Sequence, residues 1–267
     1  MPNILDEILA HKRGEVERGR AMRPLDVLQS MPGYAQPRRD FYGAVAGPRG
    51  DRPNLIAEIK RASPSAGPIC PEFDAVQIAR RYADAGAQAL SVLTEEKYFG
   101  GRLEFIADVK AAVELPVLRK DFLTERYQLH ESRAYGADAV LLIAEAVAVA
   151  ELPALVALAQ RLEMTVLLEV HTREALTGVL DVLRAEPRRD LLLGINNRDL
   201  KTQTVDLATT EQLAPLVPAG VPIVAESGIQ TRADVARMRA AGACALLIGE
   251  SLLRSDDRAA TIRDLFD

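Results

Sequence analysis

A unit made of a helical stretch, Gly-Ala and a short apolar run occurs three times, as DAGAQALSVL (84–93), AYGADAVLLI (134–143) and AAGACALLIG (240–249). Gly86, Gly136 and Gly242 stand where a helix ends in a left-handed residue, a conformation that glycine adopts at the least cost. The run that follows is apolar at nearly every position, as in a parallel strand buried on both faces. Each unit therefore predicts a helix, a tight turn and a buried strand.

The same pattern predicts eight strands along the chain, near residues 54–60, 88–94, 115–120, 138–143, 164–169, 191–196, 221–226 and 244–249. Amphipathic helix patterns separate them, for example at 233–242, where Val235 and Met238 share one face. Eight alternating units favour a (β/α)8 TIM barrel, which takes about 250 residues. An open doubly wound sheet is the alternative, but the first strand lacks the glycine-rich fingerprint of that fold.

The first fifty residues precede this α/β repeat. Ile4, Leu5, Ile8 and Leu9 form an apolar stripe on a predicted helix, and residues 29–53 are rich in Pro, Gly and Arg, which is typical of a connecting segment. We expect one (β/α)8 barrel domain over 1–267, in which 1–50 form an N-terminal helical extension. This extension is expected to act as a lid or plug on one face of the barrel.

Composition narrows the class of protein. The 267 residues are 48% hydrophobic and 27% charged, and no apolar run reaches the roughly 18 residues of a membrane helix. The N-terminus lacks the continuous apolar block of a signal peptide, and Cys70 and Cys244 show no metal-ligand spacing. A net charge of −5 disfavours nucleic acid as a partner. We expect a cytoplasmic protein that contacts neither membrane nor nucleic acid, as a monomer or weak homo-oligomer.

Polar residues follow most of the predicted strands, where the active sites of such barrels lie. They are Glu58, Lys60, Thr94, Glu95, Lys120, Glu169, Asn196, Arg198, Glu226 and Ser227. For any one of them a structural ion pair is an equally good interpretation. As a set, opposed lysines and glutamates around one rim favour catalysis. Lys60 and Lys120 are expected to lower each other's pKa by repulsion, which suits a proton donor or an anchor for a carboxylate.

Ser-Gly and Gly-Glu-Ser follow the seventh and eighth strands, in AESGI (225–229) and LLIGESLL (246–253). These two loops commonly bind phosphate through backbone N–H groups in barrels of this type. ASPSAG (62–67), after the first strand, adds hydroxyls and a glycine. Either pair alone is also compatible with an ordinary turn. His11, His130 and His171 are scattered and do not predict a metal site, although His171 lies close to the rim.

Seven motifs together resemble the indole-3-glycerol phosphate synthase family of tryptophan biosynthesis. They are AEIKRASPSAG (57–67), SVLTEEKYFGG (91–101), LPVLRKDF (115–122), LLEVHT (167–172), LGINNRDL (193–200), VAESGI (224–229) and LLIGESLL (246–253). The resemblance implies a lyase that acts on a small phosphorylated substrate, 1-(2-carboxyphenylamino)-1-deoxyribulose 5-phosphate. It would form indole-3-glycerol phosphate, with loss of CO₂ and water and without a cofactor.

The resemblance also implies roles for the site residues. Lys120 would be the general acid that protonates the developing alkoxide, and Glu169 would transfer a proton in the dehydration step. Lys60 would bind the substrate carboxylate, with Glu58 and Asn196 holding the arrangement. The implied substrate-binding residues are Ser63, Phe99, Phe122, Leu141, Arg198, Leu200, Glu226, Ser227, Gly228, Gly249 and Glu250.

The sequence departs from the family pattern at two positions, and it leaves three other functions open. Ala66 and Cys70 stand where the family often has basic residues, which bears on substrate affinity or closure of the first loop. A sibling barrel such as phosphoribosylanthranilate isomerase needs only one acid and one base. An aldolase would use Lys120 as a Schiff-base nucleophile, and a non-catalytic phosphosugar-binding barrel would use no proton donor.

Overall fold

Eight parallel strands close into a barrel at the centre of the computed structural model, which describes residues 4–64, 67–70, 72–184, 190–199 and 202–266. The strands are β1 (Asn54–Ile59), β2 (Ala89–Leu93), β3 (Val117–Lys120), β4 (Ala139–Ile143), β5 (Thr165–Val170), β6 (Leu191–Asn196), β7 (Ile223–Glu226) and β8 (Ala245–Ile248). Each pairs with its neighbours in sequence, and β8 pairs with β1 to close the ring. The predicted fold class and all eight strands are confirmed, with ends that differ by no more than two residues.

Helices lie before the barrel and between its strands. They are α1 (Ile4–Met22), α2 (Leu25–Ser30), α3 (Pro32–Ala35), α4 (Phe41–Ala46), α5 (Ala75–Asp84), α6 (Glu104–Ala112), α7 (Arg126–Ala134), α8 (Leu152–Arg161), α9 (Arg173–Arg184), α10 (Ala208–Leu213), α11 (Arg232–Ala240), α12 (Glu250–Leu253) and α13 (Arg258–Phe266). A short hairpin, Ala62–Ser63 with Gly67–Pro68, follows β1, and a 3₁₀ turn spans Ala214–Leu216. Gly86, Gly136 and Gly242 have φ of 85°, 93° and 100°, so the three predicted left-handed turns are present.

The strands alternate between two apolar layers. Ile56 and Leu167 point into the barrel interior, whereas Leu55 and Leu168 pack against the surrounding helices. This alternation explains why the strands are apolar at nearly every position, since both of their faces are buried.

The N-terminal extension contacts both ends of the barrel, not one as predicted. Phe41 and Val45 of α4 are fully buried within the interior layer, and the side-chain amide of Asn54, at the start of β1, donates to the carbonyls of Val45 and Gly47. Leu5 and Ile8 of α1 line the opposite end, beside the strand tips. Residues 29–53 are therefore more than a connection, because α3 and α4 form within them and α4 fills the base of the barrel.

Candidate active site

A cavity of about 590 Å³ opens at the carboxyl ends of the strands. The catalytic and substrate-binding residues that the family resemblance implies line it wherever they fall within the described ranges: Glu58, Lys60, Ser63, Phe99, Lys120, Phe122, Leu141, Glu169, Asn196, Arg198, Glu226, Ser227, Gly228, Gly249 and Glu250. Leu200 lies outside the described residues. The barrel brings these side chains together because the carboxyl ends of all eight parallel strands meet at one face.

Lys120 is held at the end of β3 by two buried carboxylates. Its Nζ lies 2.7 Å from Oε2 of Glu169 and 2.5 Å from Oε2 of Glu226. Burial lowers the pKa of Lys120, but Glu169, Glu226 and Glu58 together raise it above its ordinary value. The expectation that repulsion from Lys60 would lower this pKa is wrong for Lys120, because the nearest charges around its ammonium are negative.

Glu169 and Glu226 differ in their environments although they share one lysine. Lys120 and His171 together outweigh burial and hold the pKa of Glu169 well below its usual range. Burial and the charge of Glu169 raise the pKa of Glu226 to about 8. Neighbouring carboxyl groups whose pKa values are pushed apart in this way can serve as one base and one acid.

Lys60 pairs with Glu58 on the β1 side of the cavity, with its Nζ 2.6 Å from Oε1 of the carboxylate. Gly249, at the end of β8, allows this arrangement, because a Cβ at that position would overlap the Glu58 side chain. Gly194 similarly leaves the space that Oε1 of Glu226 occupies. Both glycines stand where a side chain would displace a buried carboxylate.

Asn196 and Arg198 form the β6 side. The amide of Asn196 donates to Oε1 of Glu169 over 3.3 Å, and its Oδ1 accepts from the backbone N–H of Arg198. The Arg198 guanidinium lies 3.6 Å from the Glu250 carboxylate, which links this side to the β8 loop. Asn196 therefore fixes both the position of Glu169 and the start of the loop that carries Arg198.

The loops after β7 and β8 form one rim of the cavity. Ser227 and Gly228 have φ of 65° and 80°, so consecutive residues lie in the left-handed region. The hydroxyl of Ser251 donates to the carbonyl of Ile229 and ties the two loops together. Successive backbone N–H groups in such turns, beside the start of a helix such as α12, suit an anionic group.

Phe99 and Phe122 form an aromatic pair across the cavity, with ring centroids 6.2 Å apart. Leu5, Ile8 and Leu141 extend this apolar wall. The wall presents an apolar surface to the cavity. The extension was expected to cover one barrel face, but nothing in its apolar stripe indicated that Leu5 and Ile8 would line this cavity.

Thr94 and Glu95 follow β2 but do not line the cavity, contrary to the expectation for strand tips. Glu95 turns away and accepts the backbone N–H groups of Lys97, Tyr98 and Phe99, which shapes the loop that presents Phe99. Thr94 donates to Asp121 over 2.7 Å. Both residues therefore hydrogen-bond to segments that line the cavity without lining it themselves.

Asp121 is a further buried carboxylate, to which the sequence analysis assigned no role. Its Oδ1 accepts the backbone N–H of Phe122 and lies 2.8 Å from Nζ of Lys12 on α1, and its Oδ2 accepts from Arg119. These contacts fasten the Lys120–Phe122 segment to the N-terminal helix. The motif LPVLRKDF contains the residue, but the lysine that faces it lies more than a hundred positions away.

One of the two departures from the family pattern, Cys70, does not line the cavity. Cys70 is buried, and its thiol donates weakly to the carbonyl of Glu72, while Ala66 lies outside the described residues. Among the described residues no group of three or more His, Cys, Asp or Glu side chains is placed to hold a metal ion, and no helix is long and apolar enough to cross a membrane.

Comparison with known proteins shows the family to which this chain belongs. Residues 5–265 match the family model described as indole-3-glycerol phosphate synthase. Curated proteins of that name include one from Azospirillum brasilense, 46% identical over 99% of each chain, and one from Geobacillus sp. (strain WCH70), 44% identical over 98% of this chain and 96% of the relative. A crystal structure of 3-hexulose-6-phosphate synthase from Salmonella typhimurium superposes with a TM-score of 0.63 at 13% identity. It covers 79% of this chain and 96% of that one, a likeness of fold alone.

Proposed function

The chain belongs to the indole-3-glycerol phosphate synthase family, carboxy-lyases of tryptophan biosynthesis, and we propose that it performs their reaction with Lys120 as general acid and Glu169 as base. The substrate is 1-(2-carboxyphenylamino)-1-deoxyribulose 5-phosphate. Its aromatic ring carbon attacks the ketone carbon, CO₂ leaves from the same ring carbon, and loss of water completes the indole. The observation that carries the proposal is the Lys120 ammonium between Glu169 and Glu226 in a cavity that also holds Lys60.

Ring closure needs a proton at the ketone oxygen. The Lys120 Nζ–H bond breaks as an O–H bond forms there, and the nitrogen keeps the electron pair as a neutral amine. The high pKa of Lys120 keeps its proton in place until negative charge develops on that oxygen. Decarboxylation then returns the ring electrons and restores aromaticity.

Dehydration needs a base and an acid on the same substrate. Glu169 takes the proton released from the new five-membered ring, and Lys120, 2.7 Å away, can receive it and pass it to the departing hydroxyl. Because CO₂ leaves from a carboxylate, each turnover takes up one proton from solvent. The Glu169–Lys120 contact therefore lets two side chains both remove the ring proton and protonate the departing hydroxyl.

Lys60 and the loops after β7 and β8 bind the two anionic ends of the substrate. Lys60, beside Glu58, faces the carboxylate until it leaves as CO₂. Ser63, Ser227, Gly228 and Gly249 surround the phosphate, and Phe99, Phe122 and Leu141 contact the aromatic ring. Arg198, Glu226 and Glu250 line the remaining walls.

The rival functions fit the site less well. A Schiff-base aldolase needs a neutral lysine as nucleophile, whereas the Glu169 carboxylate and the Glu226 carboxyl group at Lys120 favour the ammonium. An isomerase needs one acid and one base and gives no reason for Lys60 beside Glu58. A non-catalytic binding barrel has no use for carboxyl groups buried against Lys120.

The test is fluorescence detection of indole product from the carboxyphenylamino sugar phosphate. We expect turnover by the wild type and a loss of about 100-fold or more in Lys120→Ala. Lys97→Ala, at an exposed position outside the cavity, is the control and keeps full activity. Turnover that survives Lys120→Ala would assign the acid to Lys60, and absence of turnover in the wild type would overturn the proposed function.

A further inference from the structure

The buried side chain of His171 contacts Glu169, and a second carboxylate, that of Glu145, contacts His171. Nδ1 of His171 lies 3.2 Å from Oε2 of Glu145, whose Oε1 accepts the backbone N–H of His171 over 3.0 Å. Nε2 of the same ring lies 3.1 Å from Oε1 of Glu169. The His171 side chain is 3% exposed and that of Glu145 is 23% exposed. Three ionisable groups therefore run from the solvent edge to the proposed base.

His171 and Glu169 form a buried ion pair. Nε2 is within ion-pairing distance of Oε1, but within the described part of the chain it makes no hydrogen bond of acceptable geometry. Burial lowers the pKa of His171, but Glu145 and Glu169 together raise it to about 10. The ring is consequently an imidazolium at neutral pH, and Glu169 lies between two cations, His171 and Lys120.

We propose that His171, held in place by Glu145, is a positioning residue that keeps Glu169 ionised while Lys120 is without its proton. This role depends on the proposed function, because Lys120 becomes a neutral amine when it protonates the substrate oxygen. At that moment the groups facing Glu169 are the neutral Lys120, the amide of Asn196, the carboxyl of Glu226 and the imidazolium. His171 then provides the one positive charge within this set, and it neither gains nor loses a proton during the cycle.

Without that charge, Glu169 would be a buried carboxylate beside a second carboxyl group, and its pKa would rise. It would then capture a proton before the dehydration step and could not act as a base. Glu145 keeps His171 protonated, because an imidazole buried without a carboxylate on Nδ1 would lose its proton near neutral pH.

The protonation state of His171 is measurable in the resting protein by NMR titration of the imidazole signals. The chain has three histidines, so His171→Gln identifies the relevant signal by its disappearance. We expect His171 to remain doubly protonated up to about pH 9. A neutral ring at pH 7 would overturn the inference whether or not the protein turns over the substrate.

The kinetic test is the pH dependence of kcat in wild type, His171→Gln, Glu145→Gln and the double variant, because Glu169 acts in the bound complex after CO₂ has left. Loss of the imidazolium raises the pKa of Glu169, so the acid limb for His171→Gln should move up by about one pH unit or more. Glu145→Gln should lose activity as pH rises through the lowered pKa of His171, and should add little to His171→Gln in the double variant.

His130→Gln is the matched control, since His130 bonds Tyr34 and lies outside the cavity. An acid limb unchanged in His171→Gln, an activity of Glu145→Gln that does not fall as pH rises, or independent losses that add in the double variant would each overturn the inference. Absence of product from the wild type would refute the proposed function instead, and the NMR titration would still decide the state of His171.

Discussion

Oε2 of Glu226 accepts a 2.5 Å hydrogen bond from Lys120, while Oε1 of the same carboxyl group has no hydrogen-bond partner in the part of the chain that the structure describes. Lys120 is shared with Glu169, so one ammonium faces two carboxyl groups. Protonation of Glu226 relieves the repulsion between them. Burial and this repulsion together raise the pKa of Glu226 to about 8.

The first prediction concerns stability and pH. Glu226 binds a proton in the folded state up to about pH 8, but the unfolded chain releases it near its ordinary pKa. Between those values the native state holds more protons, so this group makes the free energy of unfolding fall as pH rises. Glu226→Gln keeps the neutral form, and its stability relative to wild type should increase from pH 5 to pH 8, as measured by urea denaturation.

Glu114→Gln serves as the comparison, because that side chain is fully exposed. A difference between Glu226→Gln and wild type that stays constant with pH would show that Glu226 is ionised in the folded protein.

The second prediction concerns the buried pair between α1 and the β3 loop. Lys12 and Arg119 outweigh burial and hold the pKa of Asp121 far below its ordinary value, so the carboxylate stabilises the fold above about pH 4 and this contribution is lost as pH falls. Lys12→Met removes one of the two cations that pair with Asp121 and leaves Arg119. We expect a loss of about 2–4 kcal/mol at pH 7 and a smaller loss at pH 3, measured by denaturation at both values.

Arg13→Met is the matched control, since Arg13 lies on the same helix with an exposed side chain. Equal destabilisation by Lys12→Met at both pH values would mean that the alkyl chain of Lys12, and not its charge, holds α1 in place.

The third prediction uses two glycines in opposite settings. Gly249→Ala forces the Glu58 side chain away, because the new methyl group overlaps it. We expect destabilisation of about 1–3 kcal/mol and a large loss of kcat, since Lys60 moves with its partner. Gly178→Ala, at an exposed position in α9 with only ordinary contact to Val149, should stabilise by about 0.5–1 kcal/mol at unchanged activity.

Thermal melting and steady-state rates on the two alanine variants test this contrast. A Gly249→Ala protein of wild-type activity would show that Glu58 and Lys60 can shift together without effect on the reaction.

The barrel could be predicted from sequence because its determinants are local. Three strands are apolar runs that follow a helix and a left-handed glycine, as at Gly136, and the other five are apolar runs between helical patterns. Both patterns can be recognised without knowledge of tertiary contacts. The carboxyl ends of all strands meet at one face of the barrel, so most of the residues predicted at the strand ends lie in one cavity. Thr94 and Glu95 show the limit of that rule, since a residue just after a strand can turn away from the mouth.

What could not be predicted depends on partners distant in sequence. The environment of Lys120 is set by Glu226, more than a hundred residues away, and the repulsion expected from Lys60 is outweighed by nearer carboxylates. The place of α4 at the base of the barrel and the contact of His171 with Glu145 are equally non-local. No periodicity or motif in the sequence predicts either of these two contacts.

The last prediction separates substrate binding from chemistry at Lys60. The substrate carries a carboxylate that the product lacks, so a lysine that binds this group should favour substrate over product. Lys60→Met should weaken binding of a non-reactive substrate analogue, with the ketone reduced to an alcohol, by about tenfold to a hundredfold, which corresponds to a lost charged hydrogen bond. Binding of indole-3-glycerol phosphate should change little, and Lys97→Met should affect neither ligand. Equilibrium titration by calorimetry measures both affinities, and equal losses for analogue and product would place Lys60 at a group that the two ligands share, such as the phosphate.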